Sequence, residues 1–373
     1  MPRKLLSDIC LTASDILHRK VIFDLRSSDI FAFGKSFGRA PPLPYYNGSK
    51  GEAFSEIANC KFLIANLICR GYLDKLLFIL FMRHIEFLID EKYEGKKVIA
   101  YLRGQAKLSA RLVNTLKRTE KGITLNGEHI RTVDMLREGD ILAVNIPEDK
   151  NEIEPVEYPL DIVFEDNDIL VINKPAGLAM HPTHNHQGDT LANAVASYFL
   201  SQGRNVAFRA VGRLDKCTSG LVLCALNKYA AARLSGNFEK TYFALVKGEY
   251  EGAGTIDTPI YRPDPMKTFR ASGENGDTAV THWQALASDG DTSLMKITLE
   301  TGRTHQIRVH FSSIGSPLCG DDMYGSTDMR TDRAALHCGI LDFVHPVTGE
   351  SLHFEVPLPQ DMQKIVDLML KDV

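Results

Sequence analysis

After residue 160 the chain is written as short apolar runs separated by turns, and this pattern most constrains what it can become. The runs fall at 169–173, 221–226, 242–247, 278–286, 293–301, 335–343 and 351–356. Each is too short for a long helix and is rich in β-branched and aromatic residues, so each is read as a strand. Helical spacing appears at 191–200, 230–238 and 304–313. Late in the chain the strands follow one another with few helices between them. A doubly wound parallel sheet needs a crossover between successive strands, so the pattern predicts a mixed, mostly antiparallel sheet with helices packed on it, an α+β fold.

Upstream lies a shorter, differently composed stretch. Between Lys96 and Arg137 there are 10 Lys and Arg against 3 Asp and Glu, although the whole chain carries a net charge of −4. Leu108, Leu112 and Leu116 recur at helical spacing, Asn126-Gly127 marks a hairpin turn, and Gly139-Asp140 leads into the apolar run 141–146. The reading is a small α/β unit over 82–148 that precedes the larger domain, with a polar linker at 149–159 and the main domain at 160–373. A local excess of positive charge suits phosphate binding as well as a solvated face.

Residues 1–81 show no comparable pattern. The most apolar part, 63–82, is interrupted by Arg70, Asp74 and Lys75, which leaves only the seven residues 76–82 uninterrupted, against the ~20 needed to span a bilayer. The stretch Met82-Arg83-His84-Ile85-Glu86-Phe87 has the form of a natural chain start, and the expectation is that residues 1–81 are dispensable or foreign to the working protein. Seven cysteines, at positions 10, 60, 69, 217, 224, 319 and 338, form no C-x-x-C pair. An odd, scattered set reads as reduced thiols and a cytoplasmic location.

Three stretches of the main domain concentrate charge, hydroxyls and glycine beside strands. Gly212-Arg213-Leu214-Asp215-Lys216-Cys217-Thr218-Ser219-Gly220 places Asp215 on a loop between cations. Such a carboxylate either caps its own turn or does chemistry. Thr301-Gly302-Arg303-Thr304-His305-Gln306-Ile307-Arg308-Val309-His310 spans a strand end and a helix start near Thr304. Arg303 at that junction suits a carboxylate, a phosphate or a structural ion pair. Lys240-Thr241-Tyr242 opens a strand, and Tyr242 suits either the core or a ring on which a base stacks.

In this order, the three stretches closely resemble the RluA-type pseudouridine synthases. The family pattern R-L-D-x-x-T-S-G-L is matched by Arg213 to Leu221, K-x-Y by Lys240 and Tyr242, and G-R-T-H-Q-I-R-V-H by Gly302 to His310. Asn173-Lys174-Pro175-Ala176-Gly177, Gly320-Asp321 with Tyr324-Gly325, and His345-Pro346 match flanking signatures, so the resemblance covers about residues 98–360. Gly212 departs from the His or Asn common before R-L-D. The basic unit is similar, more faintly, to the small RNA-binding module first known from a ribosomal protein.

The resemblance implies an RNA pseudouridine synthase acting on uridines in structured RNA, ribosomal in preference to transfer RNA, as a monomer. Asp215 is then the catalytic carboxylate, opening the uracil–ribose bond by attack on the sugar or by removing its proton. Arg303 would pair with Asp215 and hold it ionised. Tyr242 would stack on the base and help take the proton from carbon five. Arg213 would fill the gap left by the rotated uridine, and Lys107, Arg111, Lys117 and Arg118 would contact phosphates. No cofactor, nucleotide, metal or membrane is implied.

Two other readings were open. His181, His184, His186 and Asp189 resemble zinc ligands, but the aspartate stands three residues past His186, unlike the H-x-H-x-D-H of metallo-β-lactamase-like hydrolases. An RNA-binding protein that had lost its activity would not be expected to keep Asp215, Tyr242 and Arg303 together.

Overall fold

The computed structural model describes residues 82–147, 151–183, 187–328 and 330–371. The expectations for residues 1–81 and for His184 and His186 lie outside that set.

The basic stretch folds around its own apolar core. Strand β1 (Arg83–Leu88), helices α1 (Val98–Gly104) and α2 (Ala110–Arg118), and strands β2 (Ile123–Leu125), β3 (Glu128–His129) and β4 (Ile141–Ile146) build it, with sheet order β1-β4-β2-β3. Leu108, Leu112 and Leu116 are all buried, so the helical spacing marks the inward face. The Ser109 side chain accepts from the Leu112 amide and starts α2. Lys107, Arg111, Lys117 and Arg118 remain on the exposed side.

The rest is a ten-stranded mixed sheet. Its strands are β5 (Ile162–Glu165), β6 (Ile169–Lys174), β7 (Ala210–Val211), β8 (Ser219–Ala225), β9 (Phe238–Lys247), β10 (Ala253–Asp257), β13 (Val280–Ser288), β14 (Thr292–Leu299), β15 (Leu336–Val344) and β16 (Ser351–Glu355). A small hairpin, β11 (Ile260–Tyr261) with β12 (Ala271–Ser272), stands apart from it. The main path runs β10-β13-β14-β9-β15-β8-β6-β5, while β16 pairs with β15 and β7 with β8. Among the described residues, every strand pairing of this sheet is antiparallel except β8 with β15. The mixed, mostly antiparallel α+β architecture is therefore the one the strand spacing predicts.

Helices α3 (Leu191–Ser201), α4 (Lys228–Leu234), α5 (Gln306–Ser313) and α6 (Gln360–Met369) accompany this sheet. Central strand β8 is buried at every position, and its partner β6 at all but Asn173, so their apolar runs show no alternation. Gly220 is required at the parallel seam. Its φ is +111°, and a Cβ there would sit 2.1 Å from the Cys338 carbonyl oxygen.

The small sheet and the large one meet through an ion pair. Arg83 donates to both carboxylate oxygens of Asp168 at 2.7 Å, and Asn227 donates to the same carboxylate at 2.8 Å. Phe87 and Tyr229 meet edge to face across the same contact, at 6.3 Å between centroids. Asp166, Asp168 and His345 bring ligand-type atoms within 4.8 Å of one another. Those atoms are already committed: Asp168 to Arg83 and Asn227, and Asp166 to His345 at 2.8 Å and to backbone amides. The group is a structural polar network.

Candidate active site

The loop that carries Asp215 runs from β7 into β8 and is tied down on both sides. The Thr218 amide donates to the Asp215 carbonyl at 3.1 Å, and the Gly177 amide donates to the Lys216 carbonyl at 2.8 Å. Lys174, fully buried at the end of β6, donates to the carbonyls of Pro175 and Leu178 at 2.9 Å and of Lys216 at 3.4 Å. Burial depresses its ammonium pKa to about 8, with Arg333 nearby adding to the effect. The Asn-Lys-Pro stretch thus braces the loop of the acidic residue.

Gly212, the position where the sequence departs from the family pattern, precedes that loop with φ +75°, and a Cβ there would lie 2.8 Å from the Phe238 ring. The glycine fits an aromatic residue placed against the backbone by β9.

Asp215 and Tyr242 face one cleft, lined also by Arg213, Thr218, His305 and Arg308. The Asp215 side chain is 14% exposed, enough to reach a ligand and little enough to be sheltered. Tyr242 is buried, and burial first, with the Asp215 charge adding, raises its phenol pKa well above 10. At neutral pH it is a neutral phenol.

The cation beside the carboxylate is not Arg303. Arg308 Nη1 lies 3.9 Å from Asp215 Oδ2, and His305 Nε2 lies 4.0 Å from it. Arg303 instead donates to the Thr278 carbonyl at 3.0 Å and pairs with exposed Asp277 at 3.6 Å. The reason is what holds each guanidinium: Thr278 and Asp277 hold Arg303, and Asp321 holds Arg308 within the helix. His305, with φ +57°, is the N-cap of α5, one residue later than the Thr304 start predicted from the sequence. Arg303 stays outside the helix at the rim of the cleft, while Arg308 sits in the first turn with its guanidinium inward.

Arg308 is held from behind. It forms two hydrogen bonds to Asp321, at 2.7 and 2.6 Å, and lies over the Tyr324 ring at 5.0 Å. Burial works against its charge, but Asp321, and more weakly Asp215, leave its pKa raised further above the ordinary arginine value. His305 is bonded through Nδ1 to the Tyr324 hydroxyl at 2.9 Å, and burial lowers its pKa although Asp215 pulls the other way. The carboxylate thus faces one permanent cation and one largely neutral imidazole at pH 7.

Sequence reasoning missed Arg308, His305 and Asp321 as site residues. Two signals were present: His305 and Arg308 stand three residues apart on one helical face, and Asp321 follows Gly320 in a matched flanking pair. Arg213 does line the cleft, and its side is exposed. Lys107, Arg111, Lys117 and Arg118 belong to the small sheet's unit and line no part of the cleft.

A family described as RNA pseudouridylate synthase matches residues 168–313. The uncharacterized RNA pseudouridine synthase YjbO of Bacillus subtilis is 38% identical over 273 residues, covering 70% of this chain and 96% of that protein. Ribosomal large subunit pseudouridine synthase D of Escherichia coli is 36% identical over 254 residues, covering 63% of this chain and 78% of that protein. The solved human RNA Pseudouridylate Synthase Domain Containing 1 is 27% identical with a TM-score of 0.45, over 58% of this chain and 98% of that one. The ordered motifs and a relative matched over nearly its whole length lead to one conclusion: the chain belongs to the RNA pseudouridine synthase family.

Proposed function

We propose that this enzyme isomerises chosen uridines of ribosomal RNA and that Asp215 carries the bond-breaking step. The observation that carries the assignment is the set of groups around one carboxylate: a sheltered Asp215, a buried cation 3.9 Å away, and the Tyr242 ring in the same cleft. The preference for ribosomal over transfer RNA is supported by the relative named for the large ribosomal subunit and by the basic unit preceding the catalytic sheet.

The reaction exchanges a ribose bond to N1 of uracil for one to C5. N1 gains a proton and C5 loses one, so the composition is unchanged and no co-substrate is consumed. Asp215 starts it by attack on the sugar or by removing a sugar proton. Arg308 keeps that carboxylate aimed, the role first assigned to Arg303. A Tyr242 phenol held protonated supplies a stacking face for the base and is poorly suited to accept the C5 proton without a further base. Arg213 at the mouth is placed to occupy the space a rotated uridine leaves. Rotation costs a few kcal/mol, least in loops and bulges, which favours unpaired uridines of folded RNA.

The exposed cations Lys107, Arg111, Lys117 and Arg118 are assigned to phosphate contact in the small unit, in the manner of an accessory RNA-binding module. The test is to map pseudouridine in ribosomal and transfer RNA from cells with and without this gene. Sites missing from large-subunit RNA and restored by the purified enzyme are the expected result. Sites missing from transfer RNA alone would overturn the substrate assignment.

A further inference from the structure

Thr218 stands three residues after Asp215, where the site loop enters β8. It is 2% exposed and lines the same cleft as Asp215 and Tyr242. Its backbone amide is used on the Asp215 carbonyl, but its hydroxyl, itself covered from solvent, has no hydrogen-bond partner among the described residues. The next residue makes the contrast. Ser219 is equally buried, yet its hydroxyl bonds His337 Nδ1 at 2.9 Å across the seam with β15. Successive residues entering a strand point to opposite sides, so one hydroxyl serves the sheet and the other is left to the cleft. Buried hydroxyls are nearly always paired, and an unpaired one in the wall of a binding cleft is the group a ligand completes.

We propose that Thr218 is a substrate-contacting residue whose hydroxyl hydrogen-bonds the uridine once it has rotated in beside Asp215. The inference rests on reading the cleft as the uridine site. It adds to the acidic, aromatic and cationic groups a neutral one that can both donate and accept. The contact exists only when the nucleoside is inside, so it acts after the RNA has docked. Docking is carried by phosphate contacts elsewhere, and the hydroxyl should therefore govern turnover at saturating RNA more than affinity.

The test uses the full chain with Thr218→Val, which removes the hydroxyl and keeps the shape, and Thr218→Ser, which keeps the hydroxyl. Thermal midpoints are measured without RNA, and kcat and KM with a structured RNA substrate. The valine variant should melt at or above the wild-type temperature, because it deletes an unpaired buried polar atom. Its kcat should fall by ~10-fold or more, about 1.4 kcal/mol per factor of ten, with KM within a few-fold. The serine variant should recover most of that rate.

Loss of stability and rate together would make Thr218 structural and overturn the proposal. So would a wild-type rate in the valine variant, a change in KM alone, or a serine variant as slow as the valine one. Failure of the cleft reading itself would show separately, as continued turnover by Asp215→Asn.

Discussion

Asp215 is positioned by groups on other elements of the fold. Its loop is braced by Lys174, and the guanidinium that faces it is itself clamped by Asp321. Two arginines of one motif can therefore be told apart. Arg308→Lys should lower kcat by ~10-fold or more with little change in RNA affinity, since a lysine keeps a charge opposite Asp321 but loses the two-pronged geometry. Arg303→Met should cost far less, because an exposed pair such as Arg303 with Asp277 contributes ~0–1 kcal/mol. Single-turnover kinetics on both variants decide this; equal rate losses would contradict the geometry. The motif announced that a cation belongs near Asp215, but choosing between Arg303 and Arg308 depends on the Thr278 carbonyl and Asp277 that hold the one and on an aspartate 13 residues further on that holds the other. Local pattern holds neither.

The seam between β8 and β15 is the element on which the site loop rests. Strand identity here was legible, because unbroken apolar runs at 221–226 and 335–343 have few other uses. Their parallel pairing, His337 beside Ser219, was not, since pairing joins residues far apart in the chain. Nor was the short hairpin of β11 and β12, which lacks a long apolar pattern and depends on neighbours already in place, whereas helix α6 does carry one, with Met362, Ile365, Val366 and Met369 buried at helical spacing. The seam also predicts a pH dependence. Burial, helped by Arg333, lowers the His337 pKa from the ordinary 6.5 to about 4. The unfolded chain then binds the proton more readily than the folded one. Stability contributed by neutral His337 is complete above pH 6.5 and is lost as pH falls through 6.5 towards 4. At ~1.4 kcal/mol per pKa unit, the loss reaches about 3 kcal/mol at the acid end. Urea unfolding followed from about pH 7 to about pH 5 should show this fall, and a His337→Gln protein should show a flatter profile. An unchanged profile in that variant would contradict it.

Across the whole molecule, the basic unit is held to the catalytic sheet by Arg83 and Asp168 together with Phe87 and Tyr229. The Asp168 side chain is 3% exposed, so removing its guanidinium leaves a buried charge with Asn227 as its remaining side-chain hydrogen-bond donor among the described residues. Arg83→Leu should therefore cost about 3–5 kcal/mol, measured by chemical denaturation, and a loss under ~1 kcal/mol would show that the pair is incidental. Replacing Lys107, Arg111, Lys117 and Arg118 by glutamine should weaken RNA binding and flatten its salt dependence by ~0.7–0.9 per lost phosphate contact, with kcat at saturating RNA little changed. A salt slope equal to wild type would remove these residues from the interface.

The central claim is that Asp215 makes this chain an RNA pseudouridine synthase. It is tested most directly by release of tritium from carbon five of uracil in ribosomal RNA isolated from cells lacking the gene. Wild-type protein should release label in proportion to pseudouridine formed. Asp215→Asn should bind the same RNA within a few-fold and release none above background. Sustained release by a pure preparation of Asp215→Asn would contradict the account.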